Sequence, residues 1–229
     1  MGKKAKIILI VLVVLALLVF SVFLYSEGSS ELIGENNLGS VTKISFCHTN
    51  NASVKIGVVS GMHSRELNHK FVLPLVCQLF AFTHPDVEII SYRVNVTDHP
   101  EDFTKGRANG ESLVHDYVVK DVKKEDLDLV IIGHDHEPGY GEGYYIATPT
   151  MDKASVKLAK KVSKDIGFNY YQRNASQPSK STSIAAVDTP IVKTGSRVFV
   201  YEIPEVDGKV NAFKQSYSLI EDSYIRLAS

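Results

Sequence analysis

The chain has 229 residues, 25 Lys and Arg against 26 Asp and Glu for a formal net charge of −1, and 44% apolar residues. That is room for one ordinary domain plus an appendage, and too apolar for intrinsic disorder. No heptads run through it, which excludes a coiled coil, and no basic stripe crosses its mildly acidic body, which excludes nucleic acid as a partner.

Ile7 to Tyr25 is uncharged throughout and is preceded by Lys3, Lys4 and Lys6. A helix needs about 20 apolar residues to cross the hydrocarbon core, so residues 1–25 are expected to form a membrane anchor. No small-residue cleavage site follows Val22-Phe23-Leu24-Tyr25-Ser26, so the segment reads as uncleaved. Lysines before the span and Glu27 and Glu31 after it place the N-terminus in the cytoplasm and the domain outside. Sequons at Asn51, Asn95 and Asn174 agree with that side. Cys47 and Cys77 are the only cysteines; an oxidising exterior permits a bridge between them, and two buried thiols are the alternative. Residues 26–40 read as a Gly/Ser/Glu-rich linker, leaving 41–229 as the folded domain.

Strand-like and helix-like segments then alternate. Strands are expected over 41–47, 54–60, 87–96, 127–133 and 197–203. Helices are expected over 69–82 (with Pro74 a kink or a late start), 110–122, 152–166 and 212–227. The runs VKIGVVS and LDLVIIG are apolar on both faces, as strands covered on both sides must be. The alternation predicts an α/β fold: a three-layer αβα domain with a mixed, mostly parallel sheet, preceded by the one transmembrane helix. Sites in such sheets lie beyond the carboxyl ends of strands, and three ends carry chemistry.

The first is Gly61-Met62-His63-Ser64-Arg65-Glu66, where a buried strand stops at a glycine and an imidazole and a carboxylate follow three positions apart. The second is Gly133-His134-Asp135-His136-Glu137, with His134 at the strand's last position and His136 one pleat further. A catalytic zinc wants three protein ligands and an open position, so His63 and Glu66 are completed by His134 or His136, the other supporting it. The third is Val198-Phe-Val-Tyr-Glu202-Ile-Pro204, a carboxylate inside an apolar strand, which is costly unless paired or functional. The Gly/Tyr-rich run from Gly139 to Tyr145 reads equally as a mobile lid or a solvated turn. His48, His69, His84, His99 and His115 read as ordinary histidines.

Together these ends resemble the zinc carboxypeptidase superfamily, including its succinylglutamate desuccinylase and aspartoacylase branch. Gly61, His63 and Glu66 match its Gly-x-His-x-x-Glu motif, with Arg65 fitting the carboxypeptidase form. Asp128 to His134 is similar to its D-x-V-I-D-x-H strand, with Ile132 in place of the Asp, and Phe199-Val-Tyr-Glu202-Ile-Pro204 is similar to its F-T-F-E-L-P strand. The resemblance implies one zinc ion, Glu202 as proton shuttle and Arg107, in Lys105-Gly-Arg107-Ala-Asn109, as polariser of the scissile carbonyl. It implies hydrolysis of a peptide or amide bond, and the topology suggests a cell-envelope peptide as the partner. The family's Asn-Arg pair, which grips a substrate carboxylate, has no counterpart in Leu113-Val-His115-Asp116-Tyr117.

Two rival readings stand beside it. Gly133-His134-Asp135-His136 also resembles the Gly-His-x-His of calcineurin-like metallophosphoesterases, although their Asp-x-His and Gly-Asp motifs are absent. A non-enzymatic envelope or adhesion module with a degenerate site is the other.

Overall fold

The computed structural model describes residues 2–25, 28–47, 52–172 and 181–229. Helix α1 (Lys3–Tyr25) precedes an eight-stranded sheet built from β1 (Ser29–Asn36), β2 (Gly39–Phe46), β3 (Val54–Ser60), β4 (Val87–Val96), β5 (Leu129–His136), β6 (Tyr145–Ala147), β7 (Asn169–Tyr171) and β8 (Arg197–Pro204). The spatial order is β1-β2-β4-β3-β5-β8-β6-β7. The centre, β4-β3-β5-β8, is parallel, while β1, β2 and β6 join antiparallel.

The helices α2 (Leu67–Thr83), α3 (Phe103–Leu113), α4 (Val119–Glu125), α5 (Lys153–Ile166), α6 (Thr189–Val192) and α7 (Lys209–Ala228) cover both faces. Alternate residues of each central strand enter two separate cores. Val54, Ile56, Ile89, Leu129, Ile131, Phe199 and Tyr201 pack with α2, α5 and α7. Val59, Ile90, Tyr92, Val130, Ile132 and Val198 pack with the α3–α4 side. A strand with period-2 side chains can feed two cores only if both faces are apolar, which is why these runs are unbroken. The expected three layers and the mostly parallel sheet are present.

Several elements differ from expectation. Residues 29–36, assigned to the linker, form β1, an edge strand paired with β2. Its side chains are mostly exposed, and an edge strand held by backbone pairing needs no apolar pattern. Helix α2 runs through Pro74 without interruption. The expected helix over 110–122 starts at 103, because the Asp102 side chain accepts from the Thr104 and Lys105 N–H groups. It continues to Glu125 through a π-helical turn at Val114–Val118. Cys47 is exposed and Cys77 buried, and both are thiols, so the permitted bridge does not form. Asn95 lies exposed on β4, while Asn51, Asn174 and His48 fall outside the described residues. Among the described residues no helix is long and apolar enough to cross a membrane. Several side chains of α1 are outside that description, and the expected anchor rests on sequence alone.

Candidate metal centre

Strands β3, β5 and β8 end side by side, and their register places His134 beside Glu202. The chain leaves β3 at Gly61, whose φ of +79° and whose approach to the Val94 carbonyl both exclude a side chain. That turn aims His63 back across the strand ends. Gly110 of α3 lies against the same turn; a Cβ there would meet the Met62 carbonyl oxygen at 1.7 Å.

His63, Glu66 and His134 converge. Each offers one ligand atom, and the three lie within 4.8 Å of one another. Bonds of about 2.0–2.2 Å to a shared ion would draw them slightly closer, to about 4 Å. The two imidazoles present the same nitrogen: His63 Nδ1 lies 2.9 Å from Glu66 Oε1 and His134 Nδ1 lies 3.1 Å from Oε2. Glu66 Oε2 also accepts from the Asp135 N–H at 3.0 Å. Burial alone would raise the Glu66 carboxyl, but the imidazoles of His134 and His63 hold it well below the usual carboxylate range. Two neutral-capable imidazoles and one ionised carboxylate around one point are a donor set that fits zinc.

His136, expected as an alternative third ligand, stands outside this cluster. Its Nε2 is 2.9 Å from the Gly143 carbonyl and its Nδ1 3.3 Å from the Glu137 carbonyl, and its ring lies against Tyr145. Asp135 points to the opposite face. There it accepts the Asn68 and His69 N–H groups, the second at 2.9 Å, and so caps the first turn of α2, whose own N-cap residue gives no side-chain bond. His69, read as ordinary, is completely buried and completes this support: its Nδ1 is 3.1 Å from Asp135 Oδ1 and its Nε2 accepts from the Gly61 N–H at 3.0 Å. The Gly-His-x-His sequence thus sends its residues to three different tasks, which leaves no second metal cluster among the described residues.

Glu111 of α3 also escaped sequence reasoning. It is buried, and its Oε1 sits 3.6 Å from His63 Nε2 and 3.4 Å from Arg107 Nε. Its Oε2 accepts from the Thr182 hydroxyl at 2.5 Å. His63 Nε2 and Glu111 Oε1 are both without a hydrogen-bond partner, facing each other just beyond bonding distance. The sole sequence signal was the i, i+4 spacing of Arg107 and Glu111, which many helices carry.

A cleft of about 340 Å³ opens over the cluster, lined by His63, Glu66, His134, Glu202, Arg107 and Arg65 among others. Burial, with Glu66 and Asp135 adding to it and His134 and Arg107 opposing, pushes the Glu202 carboxyl up to about 7. Of the Gly/Tyr loop, Tyr140 alone is a strongly exposed cleft residue. Tyr144 bonds Asp207 and stacks with Phe168, and Tyr145 is buried in β6, so these two are structural.

The sequence matches no known protein-family profile and no curated protein. Solved structures do match. A metallo-carboxypeptidase from Pseudomonas aeruginosa superimposes with a TM-score of 0.61 at 10% identity, covering 92% of this chain and 68% of its own. A metallo-carboxypeptidase from Burkholderia cenocepacia gives 0.59 at 9% identity, with 87% and 64% covered. The cell shape determinant protein Csd4 from Helicobacter pylori gives 0.56 at 12% identity, with 82% and 55% covered. This chain therefore spans only about half to two thirds of each of these proteins. The chain shares the fold of these metallo-carboxypeptidases.

Proposed function

We propose that this chain is a single-zinc hydrolase of amide or peptide bonds. The observation that carries the reading is the convergence of His63, Glu66 and His134 at the strand ends, with Glu202 and Arg107 lining the same cleft. Zinc held by those three residues would supply a Lewis acid toward water and carbonyl oxygen. The chain's own residues do the rest. Glu202, its carboxyl near 7, takes a proton from the water as its oxygen bonds to the carbonyl carbon. It then delivers that proton to the amide nitrogen as the C–N bond breaks, leaving an acid and an amine. The Arg107 guanidinium, steadied by Glu111, faces the negative charge that grows on the carbonyl oxygen.

The proposal includes a place. Ile7 to Leu15 expose apolar side chains on consecutive positions, hence on every side of α1. A helix apolar all round asks for a non-aqueous surrounding, and the lysines at its start put the domain outside the cytoplasm. A peptide of the cell envelope is the substrate class that this topology suggests.

Metal analysis and two variants test the reading. About one zinc per chain is expected; two metals would favour a phosphoesterase, and none a binding module. Glu202→Gln should keep zinc and fold while losing turnover by about 10²–10⁴-fold, and His63→Ala should lose both. Equal zinc loss in the two variants would make Glu202 a ligand and overturn its role.

A further inference from the structure

The strand register fixes where the cleft stands relative to the point at which the domain joins α1. Ser29, the first residue of β1, pairs with Ser45; Ser45 pairs with Ile90, Ile90 with Gly57, Gly57 with Val130 and Val130 with Val198. The domain thus begins level with the lower half of the parallel strands. His134 and Glu202 lie four residues further along β5 and β8, about 13 Å higher at about 3.3 Å per residue. They are also displaced sideways. From β1 to β5 the sheet order takes four steps, about 19 Å at about 4.8 Å each. The join is at one corner of the sheet and the cleft lies diagonally away from it.

The tether is short. Tyr25 ends α1 and Ser29 starts β1, with Ser26, Glu27 and Gly28 between them. Three residues reach at most about 14 Å from Tyr25 to Ser29. β1 runs upward from the join, its last residue Asn36 pairing with Gly39, which is itself opposite Val96 at the far end of β4. Turning the domain over, so that the strand ends face lipid, would lift Ser29 by the length of β1, about 23 Å. The tether cannot span that. Laying the domain on its β1 edge keeps the cleft four strands above the surface.

We propose that the cleft opens away from the membrane, with the amino-terminal edge of the parallel strands, around Cys47, as the lipid-facing surface. The substrate is then an amide or peptide carried in the aqueous layer or on a polymer above the bilayer, and not the headgroup of a lipid in the same bilayer. This rests on the anchor in the proposed function. It adds to that function a direction of approach, and so a substrate class.

The test uses the full chain in vesicles of phosphatidylethanolamine and phosphatidylglycerol containing a lipid with a nitroxide headgroup. One sample carries a fluorophore on the native, exposed Cys47; the other carries it on the exposed cleft rim, in a Cys47→Ser, Glu137→Cys chain. Cys77 is fully buried and escapes labelling. The Cys47 probe should be quenched at least threefold more than the Glu137 probe. A rim probe quenched as strongly as Cys47, or neither probe quenched in chains that stay with the vesicles through an alkaline wash, would overturn the orientation while sparing the anchor. Chains that wash off would overturn the anchor itself, and the orientation with it.

Discussion

Glu111 shows how one buried carboxylate can serve several groups. Burial would raise its carboxyl, yet the facing His63 imidazole, the Thr182 hydrogen bond and the Arg107 charge hold it below the usual range. A carboxylate behind a ligating imidazole fixes its ring and raises its basicity, and losing such a partner costs about 10–100-fold in metal affinity. Glu111→Gln keeps the shape but not the charge. Zinc affinity, measured by competition with a chelator, should fall within that range while the fold is kept; an unchanged affinity would make Glu111 a mere anchor for Thr182. Asp188, almost fully buried and with Oδ2 unpartnered, behaves in the opposite sense. Burial, with Glu111 adding to it, pushes its carboxyl up to about 7. The unfolded chain gives up that proton near pH ~3.9. Between those values the folded state holds more protons, so stability falls as pH rises from about 4 to about 7, and the whole cost is present above pH 7. Asp188→Asn should flatten the thermal midpoint across that window and stabilise the domain at pH 8 by something on the order of 2 kcal/mol. A variant whose pH profile parallels the parent's would show that Asp188 does not titrate there.

At the scale of elements, the site depends on how closely α3 can press against the turn after β3. Gly106 and Gly110, one helical turn apart, make that approach possible; a Cβ at Gly106 would stand 2.7 Å from the His99 carbonyl oxygen. Backbone cannot retreat as a flexible side chain can, so Gly110→Ala must push α3 or the Met62–His63 turn aside. Its expected cost is about 2 kcal/mol or more, with weakened zinc binding because His63 moves with the turn. Thermal melting with and without zinc checks both, and an unchanged midpoint would mean the contact is loose. Helix α2 is fixed at the same junction from outside its own sequence, by Asp135 of β5. This is why α2 begins right after Glu66, and why the His63–Glu66 spacing is held rigidly.

At the scale of the whole molecule, the sheet order brings together ends that lie some 140 residues apart in sequence. Among the described residues the cleft so formed is lined by two guanidinium groups, Arg65 and Arg107, and Arg107 is engaged with Glu111. A carboxypeptidase selects a chain end by pairing its carboxylate with a planar guanidinium fork. Between Arg107 and β5 the sequence offers only Lys120, Lys123 and Lys124. Amidating the C-terminus of a peptide substrate should therefore change kcat/KM by less than about tenfold, or 1.4 kcal/mol. A hundredfold preference for the free acid would assign the grip to a cation elsewhere, Arg65, Arg93 or Arg173.

The central strands, the helix of 153–166 and the His63, Glu66, His134 and Glu202 positions were legible in the sequence. Each depends on local chemistry: apolar runs buried on both faces, a cap followed by helical spacing, and polar residues placed abruptly at strand ends. β1, β6 and β7 were not legible, because short or edge strands are held by pairing with partners distant in sequence rather than by their own side-chain pattern. The choice of His134 over His136 was likewise beyond the sequence. Both sit on the same face of β5, one pleat apart, and only the position of His63 and Glu66 above one of them and of the Gly143 carbonyl beside the other separates their roles. Glu111, His69 and Asp135 are common residues on ordinary elements. Their importance arises where α2 and α3 dock on the strand ends, since a carboxylate gains meaning only from the imidazole or N–H that packing brings to it.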